Sequence, residues 1–131
     1  MLYSIMYITV DETDPRPIYR QIADEIKALI ARGELAEGAP LLSVRELAAN
    51  LGLNLNTIAT AYRELQAEGL VTIRHGTGAT VASSTARNKS AAELRRPLRA
   101  ALTTLVLSGL ARAQIMSVVR DELGGLLKGV R

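Results

Sequence analysis

The sequence contains no cysteine, no phenylalanine and no tryptophan, and only one histidine and four prolines in 131 residues. Without thiols there is no disulfide framework, no zinc–thiolate site and no thiol nucleophile. The chain suits a reducing compartment, and the cytoplasm is the expected location. Its only aromatics are Tyr3, Tyr7, Tyr19 and Tyr62, so the core must be aliphatic and a base-stacking platform is not expected. With His75 as the lone imidazole, a metal site would be mostly carboxylate and a Ser-His-Asp arrangement has little to work with. Asp24-Glu25 and Asp121-Glu122 are neighbours in sequence that point in different directions on a helix, so neither is a working carboxylate pair. No G-x-x-x-x-G-K-[ST] run occurs, which removes a phosphate-binding P-loop. We therefore expect no catalytic residues, no cofactor and no metal, and the chain does not read as an enzyme.

The apolar opening from Met1 to Val10 lacks a basic start and a small-residue cleavage pattern, and it is too short to span a bilayer. No export signal and no membrane anchor are expected.

The residues that are present make a chain 48% hydrophobic and 22% charged, with a net charge of +3. This composition fits one compact domain or a small domain with an appendage. The charge is uneven. Residues 1–86 carry 7 Lys/Arg against 10 Asp/Glu, a net of −3, whereas residues 87–131 carry 9 against 3, a net of +6. The basic cluster Arg87, Lys89, Arg95, Arg96 and Arg99 reads first as a solvated face, and second as extra attraction for phosphates.

Tyr3–Val10 is rich in β-formers and is expected as a short strand or an extended arm. Pro15 and Pro17 mark a helix start. Ile18, Ile22, Ile26, Leu29 and Ile30 then form one apolar face at helical period, closed by Arg32 and Gly33. A loop with Gly38 and Pro40 follows. Ser43-Val44-Arg45-Glu46 is an S-x-x-E capping box that starts a second helix with Val44, Leu47, Ala48 and Leu51 on one side. Gly52 breaks it, and Asn54 caps a third helix with Ile58, Ala61, Tyr62 and Leu65 inward. Two helices joined by a tight glycine turn make a helix-turn-helix pattern. Leu70–Ile73 and Ala79–Ala82 flank Arg74-His75-Gly76-Thr77-Gly78 as a β-hairpin. Helix-turn-helix plus hairpin is a winged helix.

Small polar residues from Ala82 to Ser90 read as a linker. The expected division is a winged-helix domain over 1–84, with its N-terminal strand or arm, and a two-helix tail over 85–131. The tail carries one apolar stripe through Leu94, Leu98, Ala101, Leu102 and Leu105, and another through Ile115, Val118, Val119, Leu123, Leu126 and Leu127, with Ser108-Gly109 between. Pro97 marks either a kink or the true start of the first tail helix. Two such helices cannot cover both stripes by pairing with each other, so residues 90–131 are expected to form a homodimer contact. The fold class is mostly α with a small β wing: a winged helix-turn-helix followed by a two-helix dimerisation module.

Taken together, Pro17-Ile18-Tyr19-Arg20-Gln21-Ile22, Ser43-Val44-Arg45-Glu46-Leu47-Ala48, Asn54-Leu55-Asn56-Thr57-Ile58, Ala61-Tyr62-Arg63-Glu64-Leu65, Glu68-Gly69-Leu70 and Gly76-Thr77-Gly78 resemble the GntR family of bacterial transcription regulators over roughly residues 15–82. The short two-helix tail is similar to the YtrA-type subfamily. The resemblance implies a DNA-binding regulator, commonly a repressor, that takes an inverted-repeat operator in double-stranded DNA as a homodimer. Many family members carry arginines at the positions of Leu55 and near Ala59; this chain has neither, and Leu42 stands where proline is usual.

The leading residues of the second helix of a helix-turn-helix face base edges in the major groove, while neighbouring groups hold phosphates. That assigns Ser43, Arg45, Asn54, Asn56, Thr57, Thr60 and Arg63 to the expected DNA-binding set, together with Arg74, His75, Gly76, Thr77 and Gly78 at the wing tip. Asn56 suits adenine, and Thr57 a thymine methyl or a phosphate. Asn54 and Thr57 also read as plain helix caps, Arg63 as half of an exposed intrahelical pair, and Tyr62 as core. The alternative function is a winged-helix protein-interaction module with weak or no specific DNA binding. A small-molecule effector is left open.

Overall fold

The computed structural model describes residues 8–74, 78–83 and 89–127. It contains five helices and a two-stranded antiparallel sheet, in the order α1 (Ile18–Ala31), α2 (Val44–Leu51), α3 (Leu55–Ala67), β1 (Val71–Arg74), β2 (Gly78–Val81), α4 (Ala91–Leu107) and α5 (Arg112–Leu126). The chain divides into two compact units, Met1–Arg87 and Asn88–Arg131.

In the first unit, helix periodicity becomes a core. Ile22, Ala23, Ile26, Leu29 and Ile30 of α1, Leu47 and Ala48 of α2, and Ile58, Ala61, Tyr62 and Leu65 of α3 are buried together. Ile18 departs from the expected apolar face: as the first residue of α1, with helix neighbours on one side only, it stays exposed.

α2 begins as the capping box predicts. Ser43 Oγ accepts from the Glu46 amide at 3.1 Å, and the Ser43 amide donates to Glu46 Oε1 at 2.9 Å. Gly52 closes α2 at φ +67°, a left-handed conformation that costs glycine nothing, so the chain can turn at once into Leu53 and Asn54.

The hairpin pairs Val71 with Val81, Thr72 with Thr80, Ile73 with Ala79 and Arg74 with Gly78. Both strands are therefore displaced by one residue at their ends from the expected 70–73 and 79–82. The segment before α2, expected as a loop, lies against β2. Gly38 N donates to Val81 O, Leu41 N to Ala79 O and Val81 N to Ala39 O, each at 2.9 Å, with an isolated bridge between Pro40 and Thr80. The amides of Leu41 and Val81 carry this pairing, so position 40 needs no N–H directed at β2, and proline is tolerated there at the sheet's edge. Val71, Ala79 and Val81 turn inward to seal the core.

The expected N-terminal strand falls mostly outside the described residues. Residues 8–10 are neither helix nor strand, although Ile8 packs into the core. Asp11 is anchored to α1 through Gln21, a buried polar side chain. Gln21 Oε1 accepts from the Asp11 amide at 2.9 Å, and its Nε2 donates to the carbonyls of Asp11 and Arg16 at 3.1 Å each.

In the second unit, α4 starts at Ala91, six residues ahead of Pro97, so Pro97 lies inside the helix and does not begin it. The signal for this start is a second capping box: Ser90 Oγ accepts from the Glu93 amide at 3.2 Å, and the Ser90 amide donates to Glu93 Oε1 at 3.0 Å. Gly109, at φ +88°, turns the chain from α4 to α5. No residue of α4 or α5 is buried. Leu102, Leu105, Leu110, Ile115 and Val119 are half-buried, while Leu98, Val106, Leu107, Met116 and Leu123 are at least half exposed.

Candidate nucleic-acid interface

Two cross-helix ion pairs tie α3 to α1: Arg20 to Glu64 at 3.1 Å and Lys27 to Glu68 at 2.9 Å. Arg16 pairs with Asp14 and Asp24, and Arg32 with Glu34. Of the seven basic side chains in residues 1–86, four are thus matched by acids of the same unit. Among the described residues, the other three, Arg45, Arg63 and Arg74, form no ion pair, and all three are exposed. They belong to α2, α3 and β1, the helix-turn-helix and the wing. The negative net charge of the first unit therefore does not describe this set of elements, because its cations elsewhere are already neutralised locally.

The cross-helix pairs were not anticipated from sequence. Glu64 and Glu68 lie four apart on α3, and Arg20 and Lys27 seven apart on α1, spacings that put each pair of like charges on one helix face. That spacing was the available signal.

The side chains at the start of α3 divide between internal work and exposure. Asn54 Oδ1 accepts from the Asn56 amide at 2.7 Å, so Asn54 does cap the helix. Thr60 Oγ1 donates to the Asn56 carbonyl at 2.8 Å and accepts from Arg63 Nη2 at 3.2 Å, which places Arg63 in an intrahelical contact although the residue stays exposed. Thr57 is half-buried. Leu55 and Asn56 are exposed, and the Asn56 side-chain amide has no partner among the described residues. Ser43 uses its oxygen as an acceptor for the cap, which leaves its hydroxyl proton free to donate.

Tyr62 belongs to the core, with its hydroxyl donating to the Leu42 carbonyl. Burial pushes its phenol well above the ordinary tyrosine value, so it stays a neutral donor. At the wing, Arg74 and Gly78 are opposite each other in the hairpin, and Gly78 takes φ +86°. His75, Gly76 and Thr77 lie outside the described residues.

These parts are suited to a polyanion. Exposed guanidinium groups attract phosphates, and an exposed amide on a helix of this kind can pair with a base edge. Among the described residues there is no cluster of His, Asp or Glu able to hold a metal, and no helix long and apolar enough to cross a membrane.

Residues 18–81 match the family described as bacterial regulatory proteins, gntR family. The chain is 35% identical over 117 residues to the uncharacterized HTH-type transcriptional regulator YhcF of Bacillus subtilis strain 168, covering 88% of each chain. It is 38% identical over 77 residues to the HTH-type transcriptional repressor YtrA of the same organism, covering 59% of each. Among solved structures, a transcriptional antiterminator from Listeria monocytogenes EGD-e superposes with a TM-score of 0.84 at 31% identity, covering 95% of this chain and 94% of that one. YtrA from Sulfolobus acidocaldarius, a GntR-family transcription factor, gives 0.61 at 40% identity over 73% of this chain and 97% of that one. AraR(DBD) in complex with operator ORX1 gives 0.53 at 27% identity over 58% and 98%.

Proposed function

Because this chain belongs to the GntR family of bacterial regulatory proteins, on its YtrA-type branch, and so is a DNA-binding transcriptional regulator and not an enzyme, we propose that it acts in the cytoplasm as a homodimeric repressor of an inverted-repeat operator. Each protomer sets α3 in the major groove of one half-site and its wing beside the flanking backbone. Arg45, Arg63, Arg74 and the Ser43 hydroxyl hold phosphates, Asn56 reads adenine, and Asn54, Thr57 and Thr60 order the leading turn of α3. His75, Gly76, Thr77 and Gly78 complete the wing tip in this reading.

The observation that carries it is the distribution of unmatched cations. Among the described residues of the first unit, every arginine without an acid partner stands on α2, α3 or β1. A surface built for nothing more than solubility would have no reason to sort its ion pairs this way.

The homodimer is supported by α4 and α5, which bury no residue and leave a groove of about 460 Å3 lined by Leu98, Leu102, Val106, Ile115, Met116 and Val119 with neighbouring groups. A second copy of the same surface is the occupant that symmetry supplies most simply.

The test is fluorescence anisotropy on duplexes that the purified protein selects from a random pool, across a range of salt concentrations. Affinity should fall steeply with salt, and Arg45→Ala should reduce the slope of log K against log salt by about one, as the loss of one phosphate contact requires. Selection of no sequence over competitor DNA would overturn the reading.

A further inference from the structure

Large hydrophobic side chains of the first unit are mostly buried or half-buried; among the described residues only Ile18, Leu55 and Ile73 are exposed. Leu55 is the most open of the three at 40%. It is the first residue of α3, between the exposed Asn54 and Asn56. The core does not need it, since Ile58, Ala61, Tyr62 and Leu65 already fill the inward face of the same helix.

From this placement, and resting on the DNA-reading role proposed for α3, we infer that Leu55 is a specificity-determining residue that reads the 5-methyl group of a thymine. The argument is one of chemical matching. Leucine has no donor, no acceptor and no charge, so it offers nothing to phosphate oxygens or to the polar edges of guanine, cytosine or adenine. The thymine methyl is the one apolar group that an unmodified base pair displays in the major groove. Burying it against Leu55 removes both apolar surfaces from water. The neighbouring Asn56 amide, unpartnered and exposed, has the donor and acceptor that adenine N7 and N6 require. Leu55 and Asn56 together therefore select a step of thymine and adenine in each half-site, and disfavour guanine there because no cation stands at either position.

The experiment uses the full chain and the duplex it selects from a random pool, with each thymine replaced in turn by uracil, which removes only the methyl. One thymine per half-site should be sensitive: its replacement weakens wild-type binding about four-fold, the effect of losing one buried methyl. The same replacement should leave Leu55→Ala binding unchanged, and circular dichroism with a thermal melt confirms that this exposed helix position tolerates alanine. A uracil penalty of equal size in both proteins, or no penalty at any thymine, overturns the role of Leu55 while the regulator reading stands. Absence of any selected sequence removes both.

Discussion

The Tyr62 hydroxyl donates a 2.6 Å hydrogen bond to the backbone carbonyl of Leu42, twenty residues earlier in the chain. This bond joins the middle of α3 to the segment that enters α2, one residue before the Ser43 cap. α2 is thus tied to α3 at both of its ends: by the Gly52 turn at its C-terminus, and by this part-buried hydrogen bond just before its N-terminus.

Tyr62→Phe keeps the ring and deletes the donor. Urea denaturation should show a loss of about 1 kcal/mol, the usual net value of such a bond. Affinity for selected DNA should fall as well, because the position of α2 relative to α3 becomes less defined. An unchanged midpoint would mean that ring packing alone holds this junction.

Gln21 offers a second test of buried polarity. Replacing it by leucine removes the partners of the Asp11 amide and of the Asp11 and Arg16 carbonyls. The expected cost is about 1–3 kcal/mol in chemical denaturation, since those groups can pair only as far as water reaches them. Hydrogen exchange at the Asp11 amide should accelerate by a larger factor than exchange in α3.

The dimer proposal predicts the behaviour of Leu98→Glu. Leu98 is half exposed on α4 and lines the groove shared with α5. A charge placed there should move the sedimentation coefficient from dimer to monomer without loss of helical circular dichroism, and should weaken operator binding through loss of the second half-site. A dimer that survives this change would locate the contact elsewhere.

Glu93 provides a pH dependence with a defined sign. Hydrogen bonds from the Ser90 amide and hydroxyl side of the capping box hold its carboxyl below the usual glutamate value. A depressed folded-state value means that the carboxylate's contribution to the start of α4 is complete above the unfolded glutamate range, and is lost as pH falls through the lowered value. NMR titration of the Glu93 side chain should show this depression in the wild type, and Ser90→Ala should move it back toward the ordinary range.

Local signals made much of this fold readable. The S-x-x-E run at Ser43, the glycine at position 52 and the apolar spacing from Ile58 to Leu65 each act over one or two helical turns, so their outcome depends little on the rest of the chain. The same kind of signal at Ser90 and Glu93 decides between the two readings of Pro97, since a capping box there places the proline inside the helix. The exposure of Arg45 and Asn56 follows from the same periodicity, since each lies off the inward face of its helix.

Periodicity and capping chemistry thus specified the helices, the tight turn and the hairpin, because those are short-range choices made by neighbouring residues. Folding in three dimensions alone could bring Pro40 beside Thr80, Gln21 beneath Asp11, and Glu64 and Glu68 against the cations of α1. Those contacts join residues ten to more than forty positions apart, and they depend on how whole elements pack. The last two neutralise Arg20 and Lys27 across the core while, among the described residues, Arg45, Arg63 and Arg74 keep no acid partner, a property that no count of charges along the chain contains.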